Sequence, residues 1–453
     1  MKTLHRTDRF KMPLPDGRER ALIYRTYCRR LIFAFLSVAF AAATSLSLRA
    51  AGMYAVTDLG TLGGPSSSAA GINDLGVVVG QADLVSVSNY RTNHAYQYVG
   101  GYMKDIGVLS PYITGSTVTS ISSATRINNL GQIVGNSYTS SGFLHAFFYD
   151  QGQMNDIGTL PGGYTSKASG LNDLGQVVGW SIQSGGPTHA FLYDSTGIVD
   201  LGTLGGTASY AYDINNAGQI VGDSWTNTSR LSDTAYVYSN GMMYALGKLG
   251  DLPAIWAQAI NESGQIAGYA GNVDTGGPTV EHGYLLTGGT FIDLGNASEQ
   301  LTNVIPTGMN NLGQIVGSVT GSEGIVNPFL YSGGVLRDLN TLIDPSAGWT
   351  LTRASAINNN GQIAATGKNT ALQQRALLLS PRPNLQNLHF AGGHAQFSVT
   401  GMTGITCRIE YALTLPPTNW LPLTNFVVSV SPAQITDTTG LGTGQRFYRA
   451  VQP

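Results

Sequence analysis

The stretch INNLGQIVG at residues 127–135 returns along the chain in altered spelling: INDLGVVVG from 72, LNDLGQVVG from 171, INNAGQIVG from 214, INESGQIAG from 260, MNNLGQIVG from 309 and INNNGQIAA from 357. The Asn that follows the first apolar residue stands at 73, 128, 172, 215, 261, 310 and 358, at spacings of 55, 44, 43, 46, 49 and 48. A period of roughly 40 to 50 residues is the size of one four-stranded propeller blade, and also of a HEAT or armadillo helical repeat. Composition separates the two. The copy ASGLNDLGQVVGWSIQSGGPTHAFLYDSTGIVDLGT, residues 168–203, holds four short runs rich in Val, Ile, Leu and aromatics, punctuated by Asn, Asp, Gly and Ser. That is strand and hairpin grammar, whereas a helical repeat needs longer stretches free of Gly.

Within the nonamer, Ile127 ends one strand, Asn128 to Gly131 turn the chain, and Ile133 and Val134 begin the next. Asn tolerates left-handed dihedrals and bonds its own backbone, and Gly takes positive φ without steric cost. Each nonamer is therefore read as the first hairpin of a blade. Two further landmarks follow it. One is a His-Ala-aromatic strand at His94, His145 and His189, weakening to Thr234, His282, Asn327 and Arg375; the other is an Asp-Leu-Gly strand at Asp105, Asp156, Asp200, Asp293 and Asp338, with Ala245 in its place once. The last copy ends at RALLLSP without its Asp-Leu-Gly strand, and the chain carries a spare one at the other end, YAVTDLGTLGG at 54–64. An N-terminal strand that completes the last blade would leave no open sheet edge. The expected fold is all-β: a seven-bladed β-propeller over residues 51–380, closed by its N-terminal strand.

The ordered set of hairpin, HAF strand and DLGTL strand resembles the HAF-repeat family of extracellular bacterial proteins, named for the triplet found here at His145-Ala146-Phe147 and His189-Ala190-Phe191. The resemblance covers about residues 54–380. It implies export and repetition, and it brings no established chemistry. Copies four, six and seven lose the His.

Residues 381–453 break the period. Alternating strands in AQFSVTGMTGITCRIEYALTLPPTNWLPL and QRFYRAVQP read as a small β-sandwich-like module, reached through a hinge at SPRPN, 380–384. With Arg408-Ile409-Glu410, Trp420 and Arg446-Phe447-Tyr448-Arg449, it is similar to the small β modules that end many exported proteins of Verrucomicrobia-type bacteria.

Charged residues are only 11% of the 453, against roughly 25% in ordinary soluble chains, while Gly numbers 59. The first fifty residues carry 10 of the 24 Lys and Arg and 3 of the 26 Asp and Glu, so the remainder is acidic, 14 against 23. Nucleic acid as a partner needs clustered basic residues, which this remainder lacks. Arg29 and Arg30, the apolar run from Leu31 to Leu48 and the small residues at Ala50 and Ala51 have the order of an export signal over residues 1–50. Left uncleaved, the run is of borderline length for a membrane anchor. Cleavage would remove Cys28 and leave Cys407 alone, which excludes a disulfide framework. The expected protein is exported, extracellular or on the cell surface, and monomeric.

No G-x-S-x-G elbow, HExxH, Walker loop or dinucleotide fingerprint occurs, so no catalytic residue, metal ligand or cofactor is assigned. The recurring His and Asp are read as structural, the Asp as a turn cap or strand tie. Carboxylates from separate blades around a pit are the alternative that leads to a secreted glycan-cleaving enzyme. The repeats differ most at the connections opposite the Asn-Gly turns, as in 110–123, 272–282 and 343–353. Aromatics gather there. Tyr138, Trp180, Trp225 and Tyr269 are read as following the second strand of successive blades, and Trp256 and Trp349 as lying in inter-blade links. These six are the candidate ligand contacts. Packing between blades is the competing role for such rings. Rings on an uncharged, hydroxyl-rich platform suit a polysaccharide, so the expected function is non-catalytic binding, with a purely structural surface or matrix protein as a further alternative.

Overall fold

The structure is a computed structural model. It describes residues 52–453 apart from 86–89, 115–116, 228–232, 273–280, 296–300, 322–325, 393, 401–405, 415–416, 418, 429–432, 440–445 and 452–453. The export segment 1–50 lies outside the described residues, among which no helix is long and apolar enough to cross a membrane.

The chain is all-β and builds a β-propeller from four-stranded antiparallel sheets. The fourth copy shows the plan: Ser209–Ile214, Ile220–Trp225, Asp233–Ser239 and Met242–Ala245 pair in that order. The third, fifth and sixth copies repeat it. In the seventh, Trp349–Ile357, Ile363–Asn369 and Gln374–Pro381 are joined by the N-terminal strand Tyr54–Asp58, in register from Tyr54 opposite Pro381 to Asp58 opposite Leu377. The outermost strand of that sheet thus comes from the other end of the array.

The first two copies share one sheet. Tyr90–Val99 of the first runs parallel to Thr117–Ile127 of the second, with Tyr90 opposite Val118 and Asn93 opposite Ile121. The segment 110–123, expected as a variable loop, instead forms a short hairpin, Tyr112–Thr114 with Thr117–Ile127. Its Thr, Val and Ile suit a pleated strand, and a neighbouring sheet edge was there to receive it.

The nonamer turns are bound to one another. Asn172 is the pattern: its Oδ1 accepts the amides of Leu174 (3.1 Å) and Gln176 (3.0 Å), and its Nδ2 donates to Gln176 Oε1 (2.8 Å) and to the carbonyl of Asn215 in the next copy (3.1 Å). The last of these bonds recurs from turn to turn and returns from Asn358 to the Asn73 carbonyl at 2.9 Å. A second circuit runs through the following residue, whose amide donates to the side chain one copy on, from Asn129 to Asp173 and finally from Asn359 to Asp74 and Asp74 to Asn129. The seven turn glycines, Gly76, Gly131, Gly175, Gly218, Gly264, Gly313 and Gly361, all have φ between +69° and +83°, which only Gly adopts without strain. The marker Asn residues are 2% to 4% exposed. A buried amide needs all its hydrogen bonds filled, and these turns fill them reciprocally.

Between the sheets, alternate strand residues close the core: Ile133, Phe147, Val177, Val178, Phe191, Ile220 and Phe329 are fully buried. On the outer strands, His94, His145, His189 and His282 reach the Asp of the DLG strand through Nδ1, at 2.8, 2.9, 2.8 and 3.3 Å. The same Asp accepts the amide of the Gly two residues on, as Asp105 does from Gly107 and Asp156 from Gly158. Burial opposes the charge on Asp105 and Asp156, yet the hydrogen bonds from His and Gly and the nearby imidazole hold both carboxyls below the usual carboxylate range. The His-Asp pair is a cross-strand tie.

The C-terminal residues form two three-stranded sheets. Asn384–Ala391, His394–Thr400 and Ala433–Asp437 make one; Leu421–Val427, Thr406–Ala412 and Phe447–Val451 make the other. Phe397, Val399, Cys407, Ile409 and Val428 are packed together as their core. Buried Glu410 binds Arg408 (2.8 Å) and Arg449 (2.6 Å), whose guanidinium lies 4.3 Å from the Trp420 ring. The expected hinge at 380–384 is in part a continuation of the seventh sheet, because Pro381 still pairs with Tyr54 and the Arg382 amide donates to the Met53 carbonyl at 2.6 Å.

Candidate functional site

Along the second strand of each copy, alternate residues face the next sheet. The residue after the strand's glycine is Gln81, Asn136, Trp180, Asp223, Tyr269 and Ser318 in turn, and Thr366 takes that place after Ala365. In two copies this side chain accepts an inner-strand amide of the neighbouring sheet, Asn136 from Ala168 (3.0 Å) and Thr366 from Ala69 (3.2 Å). Copy four departs from this pattern. Asp223 is 2% exposed and its Oδ1 has no hydrogen-bond donor.

Around Asp223 lies a seam between the fourth and fifth sheets. Trp225, two residues on and on the same face, pairs across with Asp233 at the start of the third strand, which sets the two aspartates on one sheet face as diagonal neighbours. Asp233 accepts hydrogen bonds from both Trp225 and Trp256, one indole from each sheet, while its Oδ1 has no partner. Trp256 is stacked on its cross-strand partner Tyr269, with centroids 4.8 Å apart and planes 21° apart. Tyr212, the extra residue at an irregularity between Ala211 and Asp213, donates to Asp223. The ion pairs among the described residues all lie elsewhere.

Charge in this seam is costly. Burial pushes the Asp223 carboxyl up to about 7, with the Tyr212 hydrogen bond pulling the other way and the Asp233 charge adding to the rise. Burial also raises Asp233, against the pull of the two indoles, and Glu281, which enters from the fifth copy and whose charge lifts Tyr269. No cluster suited to a metal ion occurs among the described residues.

Of the six expected ligand contacts, three meet here: Trp225, Trp256 and Tyr269. Trp180 continues the line from the third sheet, edge-on to Tyr210 at 5.7 Å, with Lys167 Nζ 5.0 Å from its ring. Tyr138 stands apart, at the end of the second copy's Ile133–Tyr138 strand. Trp349 packs against the core of the seventh sheet. All six are half-buried. Placement differs from expectation in two respects. The second-strand aromatics lie within the strands or at their ends, in two registers: Trp180 and Tyr269 match Asp223, whereas Tyr138 and Trp225 stand two residues later. Trp256 and Trp349 belong to inner strands, Ala254–Ile260 and Trp349–Ile357, because the first sheet residues start earlier than the links suggested.

Sequence reading missed Asp223, Asp233, Tyr212 and Glu281. A signal existed: copy four reads VGDSW and SDTAY where copy two reads VGNSY and FLHAF, placing an acid at the otherwise neutral position of Asp223 and another at the position of Asp233, where copy five alone also has an acid, Glu281. At the hub, a cavity of about 250 Å³ is rimmed by the Asn-Asp turns, with Arg126 and Asp213 inside. Its rim carboxylates Asp74 and Asp173 already accept hydrogen bonds from the turns beside them.

No protein-family model matches the chain, and comparison with curated proteins gave no match. Solved structures do resemble it. The β-propeller domain of the Trilobed protease from Pyrococcus furiosus is 9% identical with a TM-score of 0.47, over 69% of this chain and 93% of that one. A puromycin-hydrolysing peptidase of Mycobacterium tuberculosis is 12% identical with a TM-score of 0.40, over 68% of this chain; the match spans only 54% of the peptidase. A mutant Aleuria aurantia lectin, in complex with Fucα1-6GlcNAc, is 12% identical with a TM-score of 0.33, over 67% of this chain and 94% of the lectin.

Proposed function

We propose that this chain is an exported, non-catalytic carbohydrate-binding protein, a seven-bladed ring of the HAF-repeat type that meets its ligand along the edge of the third, fourth and fifth sheets. One observation carries the reading: indoles from two neighbouring sheets, Trp225 and Trp256, are fixed on a single carboxylate, Asp233, and remain half-exposed. Rings held in this way lose little freedom on binding, and their apolar faces match the C–H faces of a sugar while the uncharged polar surroundings meet its hydroxyls. Residues 1–50 serve as the export signal in this reading.

The test is a binding screen of the chain from residue 51 onward against a polysaccharide panel, with Trp225→Ala beside the parent. Ligand contact predicts a loss of about 1 to 3 kcal/mol in affinity with the melting curve little changed. Early melting with normal affinity while folded would assign the ring to packing. A second reading, glycan cleavage, draws on the Asp223 and Asp233 pair, because glycosidases work with one protonated and one ionised carboxyl. Released oligosaccharide in the same screen would favour it.

A further inference from the structure

Among the described residues, the seam between the fourth and fifth sheets holds the carboxylates of Asp223 and Asp233, with Glu281 beside Tyr269, and none of the three is in an ion pair. Asp223 Oδ1 and Asp233 Oδ1 are both buried without a donor, although their other hydrogen bonds, from Tyr212 and from the two indoles, are in place. A buried acceptor left empty costs about 1 to 3 kcal/mol, more when charged, so two such carboxylate oxygens on diagonal neighbours stand to gain from a ligand that donates to both. The walls are Trp225, Trp256, Tyr269 and Tyr212, rings whose faces attract a cation. An ammonium group has three donors and one positive charge, enough for both empty oxygens.

We propose that this seam binds the ammonium group of an amine-bearing sugar, with Asp223 and Asp233 as its acceptors and Trp225 and Trp256 against the sugar ring. This rests on the carbohydrate reading and narrows it to glycans with free amino groups. The ammonium enters past the half-exposed indoles and donates to the two empty oxygens, leaving both indole N–H groups on Asp233. Tyr212, Tyr236 and Tyr269 are the other titratable groups that feel the Asp223 charge, Tyr269 feels that of Asp233 as well, and Glu281 lies on the far side of this set, beside Tyr269. Lys167 Nζ, 5.0 Å from the Trp180 ring, belongs to the neighbouring seam, where Trp180 meets Tyr210.

The experiment compares glucosamine oligomers with their N-acetylated counterparts by calorimetry on the chain from residue 51 onward, between pH 6 and pH 8. The expected result is binding of the free-amine oligomer about tenfold tighter or more, with the preference abolished in both Asp223→Asn and Asp233→Asn. Equal affinity for the two oligomers, or a preference kept by both variants, overturns the inference and leaves the carbohydrate reading standing. If no neutral or amine-bearing polysaccharide binds at all, the carbohydrate reading fails and takes the inference with it. Melting curves confirm that each variant is folded.

Discussion

The hub of the propeller and the seam between its fourth and fifth sheets are built from the same repeat and treat it in opposite ways. At the hub every copy keeps its Asn, and each Asn spends its amide on the next turn until the circuit returns to Asn73. In the seam one copy replaces a side chain that elsewhere holds the neighbouring sheet, as Asn136 and Thr366 do, by Asp223, whose Oδ1 holds nothing. Uniformity across copies marks what the ring needs in order to stand. The departure gives up stability in one place, and such a loss is expected where a site binds something.

Four variants break or sharpen this contrast. The largest effect is expected from removing residues 52–58, which strips the outermost strand from the seventh sheet and bares the edge formed by Gln374–Pro381. Soluble folded protein should be lost, or the melting temperature should fall by more than about 10 °C in a thermal scan. An unchanged melt would show that the ends do not close the ring.

Next comes Asn172→Ala. It empties four hydrogen bonds at a buried turn, among them the link to the Asn215 carbonyl, and should cost about 2 to 4 kcal/mol in urea unfolding. A cost below about 0.5 kcal/mol would mean that the circuits ornament the hub and do not hold it.

Asp223→Asn should act in the other direction. Its carboxyl titrates near 7 in the folded chain against an ordinary 3.8, so the folded state holds the proton more tightly than the unfolded one. That contribution is fully present below about pH 4 and is lost as the pH rises through 7, at up to about 1.4 kcal/mol per pH unit. The Asn variant should lack this slope and should be more stable than the parent at pH 8, when unfolding is followed from pH 4 to pH 8. Parallel curves for the two proteins would place the Asp223 proton elsewhere.

The smallest effect is expected at the outer strands. His189→Ala breaks a partly exposed pair with Asp200, and such pairs contribute roughly 0 to 1 kcal/mol. Copies four, six and seven lack the His and still pair their third and fourth strands, which sets the same bound. Loss above about 2 kcal/mol would give the HAF motif a role beyond the tie seen here.

Much of this was legible. Asn and Gly at fixed places announce a turn because both relieve the same backbone conformation, and turn plus alternating apolar residues announces a hairpin whatever surrounds it. The spare strand at 54–58 and the missing one after Pro381 were also readable, since a count of strands needs no coordinates. The seam was less so. Trp225, Trp256 and Tyr269 were picked out by type and by their place near variable connections, but Tyr138 and Trp349 passed the same filter and lie elsewhere, one at a strand end and one on a core. Hairpin registers decide which of two positions on a strand face looks into a seam, and a bulge such as that at Tyr212 shifts them by one residue.

By itself the sequence determined the strands, their turns, their repetition and the complementary ends, because each rests on local chemistry or on counting. Only the tertiary structure decided which side chains share a seam. Asp223 and Asp233 are ten residues apart in a stretch with no motif, and each taken alone is an ordinary acid. What makes them unusual is the closing of the fifth sheet over the fourth, which buries Asp223, half-buries Asp233, brings Trp256 to Asp233 and leaves two oxygens without donors. Burial is a property of neighbours in space, and the chain's order does not record it.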